Sequence, residues 1–97
     1  MSSFVRLFIV QARDAKSHYL LERDLCEAKD YLLAESGYVD SEVLSEDNGL
    51  TAALLTTWAS REAAVAFHQS SMNDLLMAVT KRHIAGSPVV KLLRIIC

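Results

Sequence analysis

Two residues of one short segment, Trp58 and His68, are of the types best suited to chemistry, and they lie in LLTTWASREAAVAFHQSS, residues 54–71. Histidine titrates near neutral pH, so His68 could accept a proton from an acidic phenol or enol. The indole of Trp58, the chain's only tryptophan, suits either a ligand pocket or the core. His68 could equally be an ordinary surface or core histidine. The residue types alone leave these alternatives open.

The segment joins a predicted strand to a predicted helix. Side chains alternate along a strand, so Leu54, Thr56 and Trp58 share one face. On the helix, Phe67 and Ser71 belong to one stripe that is largely apolar. If the strand face meets the helices, Leu54, Thr56 and Trp58 form the floor of a mostly apolar pocket, as ligand sites usually are.

The first half of the chain predicts a strand, a helix and a second strand. FVRLFIVQ, residues 4–11, is β-branched and aromatic between polar neighbours, which is typical of a strand. A helix of roughly five turns follows, capped by Asp14 or Ser17. Its apolar residues at helical spacing are Leu21, Leu25, Ala28 and Leu32. Gly37 suits the left-handed residue that ends a helix, and YVDSEVLSE predicts the next strand.

The second half predicts a hairpin, a helix and a last strand. EDNG favours a turn because Asn-Gly accepts positive φ angles, and LTAALLTTW returns as a strand. Ser60 is a predicted N-cap for a second helix from Arg61 to His83, with a kink or restart near Ser71 because SSMND disfavours helix interiors. VVKLLRII is the last strand. The order β-α-β-β-α-β predicts an α+β, ferredoxin-like fold with both helices on one face of an antiparallel sheet.

Size and composition restrict the class of protein. Ninety-seven residues, 52% of them hydrophobic, predict one globular domain spanning 1–97. Because the net charge is −2 and no Lys/Arg cluster occurs, we expect no binding to nucleic acid. No apolar run approaches the roughly 18 residues that cross a bilayer, so no membrane partner is expected. The N-terminus lacks the features of a signal peptide, which predicts a cytoplasmic protein.

Neither a metal nor a cofactor is indicated by residue spacing. Cys26 and Cys97 lack the CxxC spacing of a zinc site, and we interpret Cys26 as a small core residue. The acidic residues around strand two are Asp40, Glu42, Glu46 and Asp47. No histidine pattern accompanies them, which favours a solvated sheet edge over a metal site. His18 and His83 are interpreted as residues at helix ends.

Both faces of the first and last strands carry apolar residues. On the first strand Val5, Leu7 and Ile9 point one way, and Phe4, Phe8 and Val10 point the other. Helices on one side leave the other face bare, and each apolar side chain left in water forgoes about 1.5–3 kcal/mol. We therefore predict a homodimer through the open sheet face. Arg6 and Arg94, set among these residues, are either dimer-face or rim charges or an anion-binding pair at a pocket mouth.

The chain resembles the antibiotic-biosynthesis-monooxygenase-like proteins of the dimeric α/β-barrel superfamily. The resemblance rests on the element order, on AESGYVDSEVL, on AGSP before the last strand, and above all on the Trp-x-Ser junction in LLTTWASREAAVAFHQS. It extends from about Phe4 to Ile96. Members of this family include cofactor-free quinol oxidisers, haem degraders and a sugar-phosphate-type isomerase, so the resemblance implies the fold more specifically than the activity.

Only some of the family's site residues have counterparts in this chain. In quinol-oxidising members the junction tryptophan is catalytic or lines the substrate, and Trp58 matches it. Those members carry an asparagine where this chain has Leu54, and a tyrosine on the next helix, which has none here. Haem-degrading members need a first-strand asparagine, absent here, and a tryptophan and histidine that align with Phe67 and Met77. Haem degradation is therefore disfavoured, since an apolar side chain cannot ligate iron as imidazole does.

Other members carry histidines on helix two, which align with Phe67 and Met72 or, after a shift of one residue, with His68 and Asn73. The resemblance implies a cofactor-independent monooxygenase acting on a small, quinol-like aromatic. The alternatives are a small-molecule-binding dimer without catalysis and an isomerase of a small metabolite. The predicted catalytic residues are Trp58 and His68. The predicted substrate-binding residues are Phe8, Leu54, Thr56, Phe67, Ser71 and Met72.

Overall fold

The computed structural model describes residues 3–97 as a four-stranded antiparallel sheet with helices packed on one face. The elements are β1 (Phe4–Gln11), α1 (Ala15–Leu32), β2 (Tyr38–Ser45), β3 (Thr51–Trp58), α2 (Arg61–His68), α3 (Ser71–Lys81) and β4 (Val89–Arg94). The strand order is β2-β3-β1-β4, so β1 and β3 are central and β2 and β4 are the edges. The predicted α+β, ferredoxin-like fold is confirmed.

Helix α1 begins where the sequence predicts and ends earlier. The side chain of Asp14 accepts a hydrogen bond from the Ser17 backbone N–H at 2.7 Å, which caps the helix and lowers the pKa of this carboxyl. The predicted stripe faces the sheet, with Leu21 and Leu25 fully buried. The helix ends at Leu32, five residues before Gly37.

Gly37 is left-handed, as predicted, but it serves the turn into β2 rather than the end of α1. Its φ angle is +79°, and a Cβ at this position would collide with the Cβ of Ala63. The backbone carbonyl of Gly37 accepts a hydrogen bond from the Ala59 N–H at 2.8 Å. Glycine is therefore required here because α2 approaches the backbone closely.

The predicted second helix is two helices, which changes the element order to β-α-β-β-α-α-β. Ser60 caps α2 by accepting from the Ala63 N–H at 3.1 Å, as predicted. Ser70 then ends one helix and starts the next, since its hydroxyl donates to the Phe67 carbonyl and accepts from the Asn73 N–H. The predicted restart near Ser71 is thus a complete break, and α3 ends at Lys81, short of His83.

The sheet has one covered face and one open face. The central residues beneath the helices are buried, among them Phe8 on β1 and Leu54 and Trp58 on β3. On the open face, β1, β3 and β4 place Leu7 opposite Leu55 and Val5 opposite Leu93. These open-face residues are half-buried or exposed. The open face is therefore apolar at its centre.

Three further sequence expectations concern the surface. Cys26 is exposed on α1, so its interpretation as a core residue is wrong. The cause is its position on the helix, one residue past the stripe of Leu21 and Leu25, where it points away from the sheet. Within residues 3–97 no three metal-ligating side chains cluster, and none of the helices described has the length and hydrophobicity to span a bilayer.

Candidate functional site

A cavity of about 320 Å³ lies between α1 and α3, with β3 at its base. Its apolar lining residues are Ala28, Leu32, Leu54, Phe67, Met72, Leu75, Leu76 and Val79. Tyr31 and Leu75 stand at the rim and are more than half exposed. The size and the mostly apolar wall are those of a site for a small organic molecule.

Charged groups lie on the α1 side and at the C-terminal end of α3. Asp24, Glu27 and Arg82 contribute to the lining. The carboxylate of Asp24 is largely buried, and its Oδ2 lies 3.1 Å from Nε2 of His83, itself well shielded from solvent. A carboxylate that is hydrogen-bonded to an imidazole can accept or relay a proton from a ligand in the cavity.

Three of the predicted substrate-binding residues line this cavity, namely Leu54, Phe67 and Met72. The other three do not. Phe8 and Thr56 lie in the core beneath the helices, and Ser71 is exposed at the start of α3.

Trp58 is fully buried directly behind the cavity wall. Its ring stacks on that of Phe67 with centroids 4.9 Å apart, and the ring of Tyr38 meets its edge at 5.9 Å. The indole N–H donates to Oγ1 of Thr56 at 2.9 Å, so its hydrogen-bonding capacity is used. Thr56 in turn donates to the backbone carbonyl of Arg6. Trp58 therefore supports Phe67 from behind and does not itself line the cavity.

His68 lies outside the cavity, at the exposed end of α2, where it contacts Arg6. The guanidinium Nε of Arg6 donates to Nδ1 of His68 at 3.4 Å. In the neutral ring this leaves the proton on Nε2, because Nδ1 acts as the acceptor. As a proton acceptor, His68 would first have to give up its contact with Arg6.

Arg6 is buried beneath α2 and α3 on the helix-facing side of β1. Its Nη2 donates to Oδ1 of Asn73 at 2.6 Å, and its guanidinium carbon lies 5.1 Å from the ring centre of Phe67 and 5.7 Å from that of Phe8. Burial lowers the pKa of Arg6 to about 10, so the side chain remains cationic at neutral pH. The family's helix-two histidines align either with Phe67 and Met72 or with His68 and Asn73. The second pair is the one whose two side chains hydrogen-bond to Arg6.

Solved structures share this fold, although no protein-family model and no curated protein matches the sequence. A candidate antibiotic biosynthesis monooxygenase from Bordetella bronchiseptica matches with 11% identity and a TM-score of 0.84 over 100% of both chains. The chain has the fold of antibiotic biosynthesis monooxygenase-like proteins.

Two further neighbours carry information on ligands and assembly. A monooxygenase, ActVA-Orf6 of Streptomyces coelicolor in complex with the ligand nanaomycin D, shows 14% identity and a TM-score of 0.78, over 94% of this chain and 85% of that one. A dimeric protein of unknown function and ferredoxin-like fold from Bacteroides fragilis shows 12% identity and a TM-score of 0.77, over 96% of each chain. At these identities the likeness concerns the fold.

The sequence did not predict that residues of α1 line the cavity. Asp24, Ala28 and Tyr31 line it, and His83 holds Asp24 in place. Asp24, Ala28 and Tyr31 follow one another at spacings of four and three residues, which places them along one side of a helix. That spacing was a usable signal. The pairing of Asp24 with His83 was not, because 59 residues separate the two.

Proposed function

We propose that the chain is a cofactor-independent monooxygenase that binds a small, quinol-like aromatic in the cavity between α1 and α3. The observation that carries the proposal is the wall of this cavity, where the ring of Phe67 is held in place by its stack on Trp58. Leu54 and Met72 complete an apolar surface on which a flat ring can pack. The complex of ActVA-Orf6 with nanaomycin D supports a ligand of this class.

In this proposal the chain binds the ring, excludes water and accepts one proton. A deprotonated quinol is electron-rich and can reduce O₂ directly, so the protein's task is to form the anion in a dry pocket. Asp24, hydrogen-bonded to His83, is the proton acceptor that borders the cavity. His68 is the alternative acceptor that the sequence predicts, and it would serve a ligand that reaches Arg6.

Oxygen uptake with a panel of naphthoquinols tests the proposal. We expect turnover above the non-enzymatic rate in the wild type and at least a tenfold loss in Ala28→Phe, because the larger side chain fills the cavity. Ala78→Phe is the matched control, since Ala78 is exposed on α3 and does not line the cavity. If the wild type shows no turnover above the non-enzymatic rate, the proposed monooxygenase activity is wrong.

Variants of the two proton acceptors separate the roles. Asp24→Asn should lower kcat by about 10²–10⁴-fold if Asp24 is the base, whereas His68→Ala should leave kcat within a few-fold. The reverse pattern would assign the proton transfer to His68. Trp58→Phe should raise KM more than it lowers kcat, because Trp58 acts by supporting Phe67.

A small-molecule-binding dimer without catalysis is the second candidate. It is favoured by the complete burial of Trp58 and by the hydrogen bond that already satisfies its indole N–H. Thermal stabilisation by naphthoquinols without oxygen uptake would select this binder over the enzyme.

In either case we propose a homodimer through the open sheet face. The support is the apolar centre of that face, where Leu7 lies opposite Leu55. The neighbour from Bacteroides fragilis is dimeric with the same fold. The cytoplasmic location stays a prediction.

A further inference from the structure

Arg6 is a buried cation without a carboxylate partner. It is 1% exposed, and the ion pairs formed among residues 3–97 are Arg23–Asp24 and His83–Asp24. Removing a guanidinium from water is strongly unfavourable unless an opposite charge compensates. A position on the buried face of a central strand would ordinarily hold an apolar side chain, as Phe8 does two residues later.

The groups around the guanidinium carry no negative charge and hold it in one orientation. Oδ1 of Asn73 and Nδ1 of His68 accept from it, and the rings of Phe8 and Phe67 flank it. Asn73 is itself fixed, because its Nδ2 donates to the backbone carbonyl of His68 at 3.0 Å. The planar fork of Arg6 is therefore positioned, while its charge is balanced only by dipoles and π-faces.

One end of the guanidinium remains available. Among residues 3–97 no side chain or carbonyl accepts a hydrogen bond from Nη1 of Arg6, and no fully buried side-chain nitrogen lacks a partner. It follows that the small exposed area of Arg6 includes Nη1. An oxyanion at this point could accept a charge-assisted hydrogen bond from Nη1, since Nε and Nη2 already donate to His68 and Asn73.

The strand beside Arg6 is β4, an edge strand that the helices leave uncovered. Leu92 is the β4 partner of Arg6 and shares its face, yet it is 39% exposed. Arg94 lies diagonally from Arg6 on that face, at a Cα distance of about 7–8 Å for this pairing, and is also exposed. A ligand approaching here meets the cation of Arg94 and an apolar strip beside the buried cation of Arg6.

We propose that Arg6 binds the carboxylate of a small organic acid whose apolar body packs along β4 beside Leu92. Asn73 and His68 orient the guanidinium and Arg94 attracts the anion. Arg6 contacts Phe67 but does not line the cavity, and this site does not depend on the proposed monooxygenase activity.

Thermal denaturation of the full chain with benzoate tests the site, at constant ionic strength and with benzyl alcohol as the uncharged analogue. We expect benzoate near 100 times its Kd to raise Tm by about 10 °C or more and benzyl alcohol to raise it far less. No rise with benzoate, or equal rises with both compounds, would overturn the proposal. This comparison needs no variant.

Arg6→Met and Arg61→Met then distinguish a ligand site from a structural arginine. Arg6→Met should lose the response to benzoate while keeping or raising the Tm measured without it, because an unpaired buried charge is replaced by an apolar chain. Arg61→Met, an exposed arginine at the start of α2, should respond as the wild type does. An Arg6→Met variant that still responds to benzoate, or that folds with a clearly lower Tm, would contradict the site.

Discussion

On β1, the face beneath the helices carries the charge of Arg6 beside Phe8, whereas the face without helices carries Val5, Leu7 and Ile9. An ordinary strand of this fold would show the opposite arrangement, with charge in water and apolar residues in the core. The difference indicates two separate requirements. The apolar face is the basis of the proposed homodimer, and the buried cation is the basis of the proposed anion site.

The largest expected effect is on the open face. Leu93→Glu places a charge opposite Val5. In a two-fold dimer both copies lose an apolar contact worth about 1.5–3 kcal/mol, so the dissociation constant should rise by at least about 100-fold. Analytical ultracentrifugation measures it.

The control for this prediction is Leu33→Glu, which adds the same charge to an exposed leucine just past α1. It should sediment like the wild type. If wild-type protein at micromolar concentration sediments as a monomer, the open face does not form a homodimer. The apolar face of β1 would then have no explanation in self-association.

On the covered face, Trp58→Ala should lower the free energy of unfolding by about 3–5 kcal/mol, because it empties the space between Tyr38 and Phe67. Urea denaturation followed by circular dichroism measures the loss. Leu92→Ala, at the partly exposed edge of the same face, should cost less than about 1 kcal/mol. Similar losses for both variants would mean that the covered face is not organised around Trp58.

A smaller effect is expected from two adjacent threonines that point to opposite faces. Thr56→Val removes the acceptor of the indole N–H of Trp58 and should cost about 1–3 kcal/mol. Thr57→Val, on the open face, should stay within about 0.5 kcal/mol in the dissociated protein. Equal costs, measured by urea denaturation in the Leu93→Glu background, would show that the hydrogen bond to Trp58 contributes little.

The smallest expected effect is the pH dependence of stability that arises from Asp14, the N-cap of α1, which lies on neither face of the sheet. The hydrogen bonds from Ser17 hold the pKa of Asp14 below its ordinary value. A carboxyl with a lowered folded pKa stabilises the fold above the unfolded pKa of about 4, and this contribution disappears as pH falls through the folded pKa. Asp14→Asn keeps a cap without titrating, so its Tm should fall less than that of the wild type between pH 5 and pH 3. An identical fall would assign the acid sensitivity to other carboxyls.

The sequence predicted the fold because its signals are local. β-Branched and aromatic runs between polar residues marked the strands, Asp14 and Ser60 marked helix starts, and Ser and Asn in SSMND marked the break after α2. The end of α1 was predicted too late because Gly37 has the left-handed conformation of a helix end and uses it for a close approach to Ala63. The left-handed conformation of Gly37 was predictable from the sequence, but its contact with Ala63 was not.

Site residues were predictable only where they belong to one short segment of the chain. Leu54, Phe67 and Met72 belong to the segment that the sequence singled out, and they line the cavity. The burial of Arg6 depends on which face of β1 the helices cover, and its contact with Asn73 spans 67 residues. Single-sequence patterns carry no information on such pairings, so Arg6, expected at the dimer face, at the rim or at a pocket mouth, lies in the interior.

The break at Ser70 also changes the direction in which the side chains of α3 project relative to those of α2. In a continuous helix, the six residues from Phe67 to Asn73 would turn through about 600°, leaving the two side chains about 120° apart. The break cancels this offset, so both reach Arg6. Deleting Gln69 would shorten the link and displace α3 against α2, taking Asn73 away from Arg6 and Met72 out of the cavity together. The length of this two-residue link therefore sets the alignment of both sites at once.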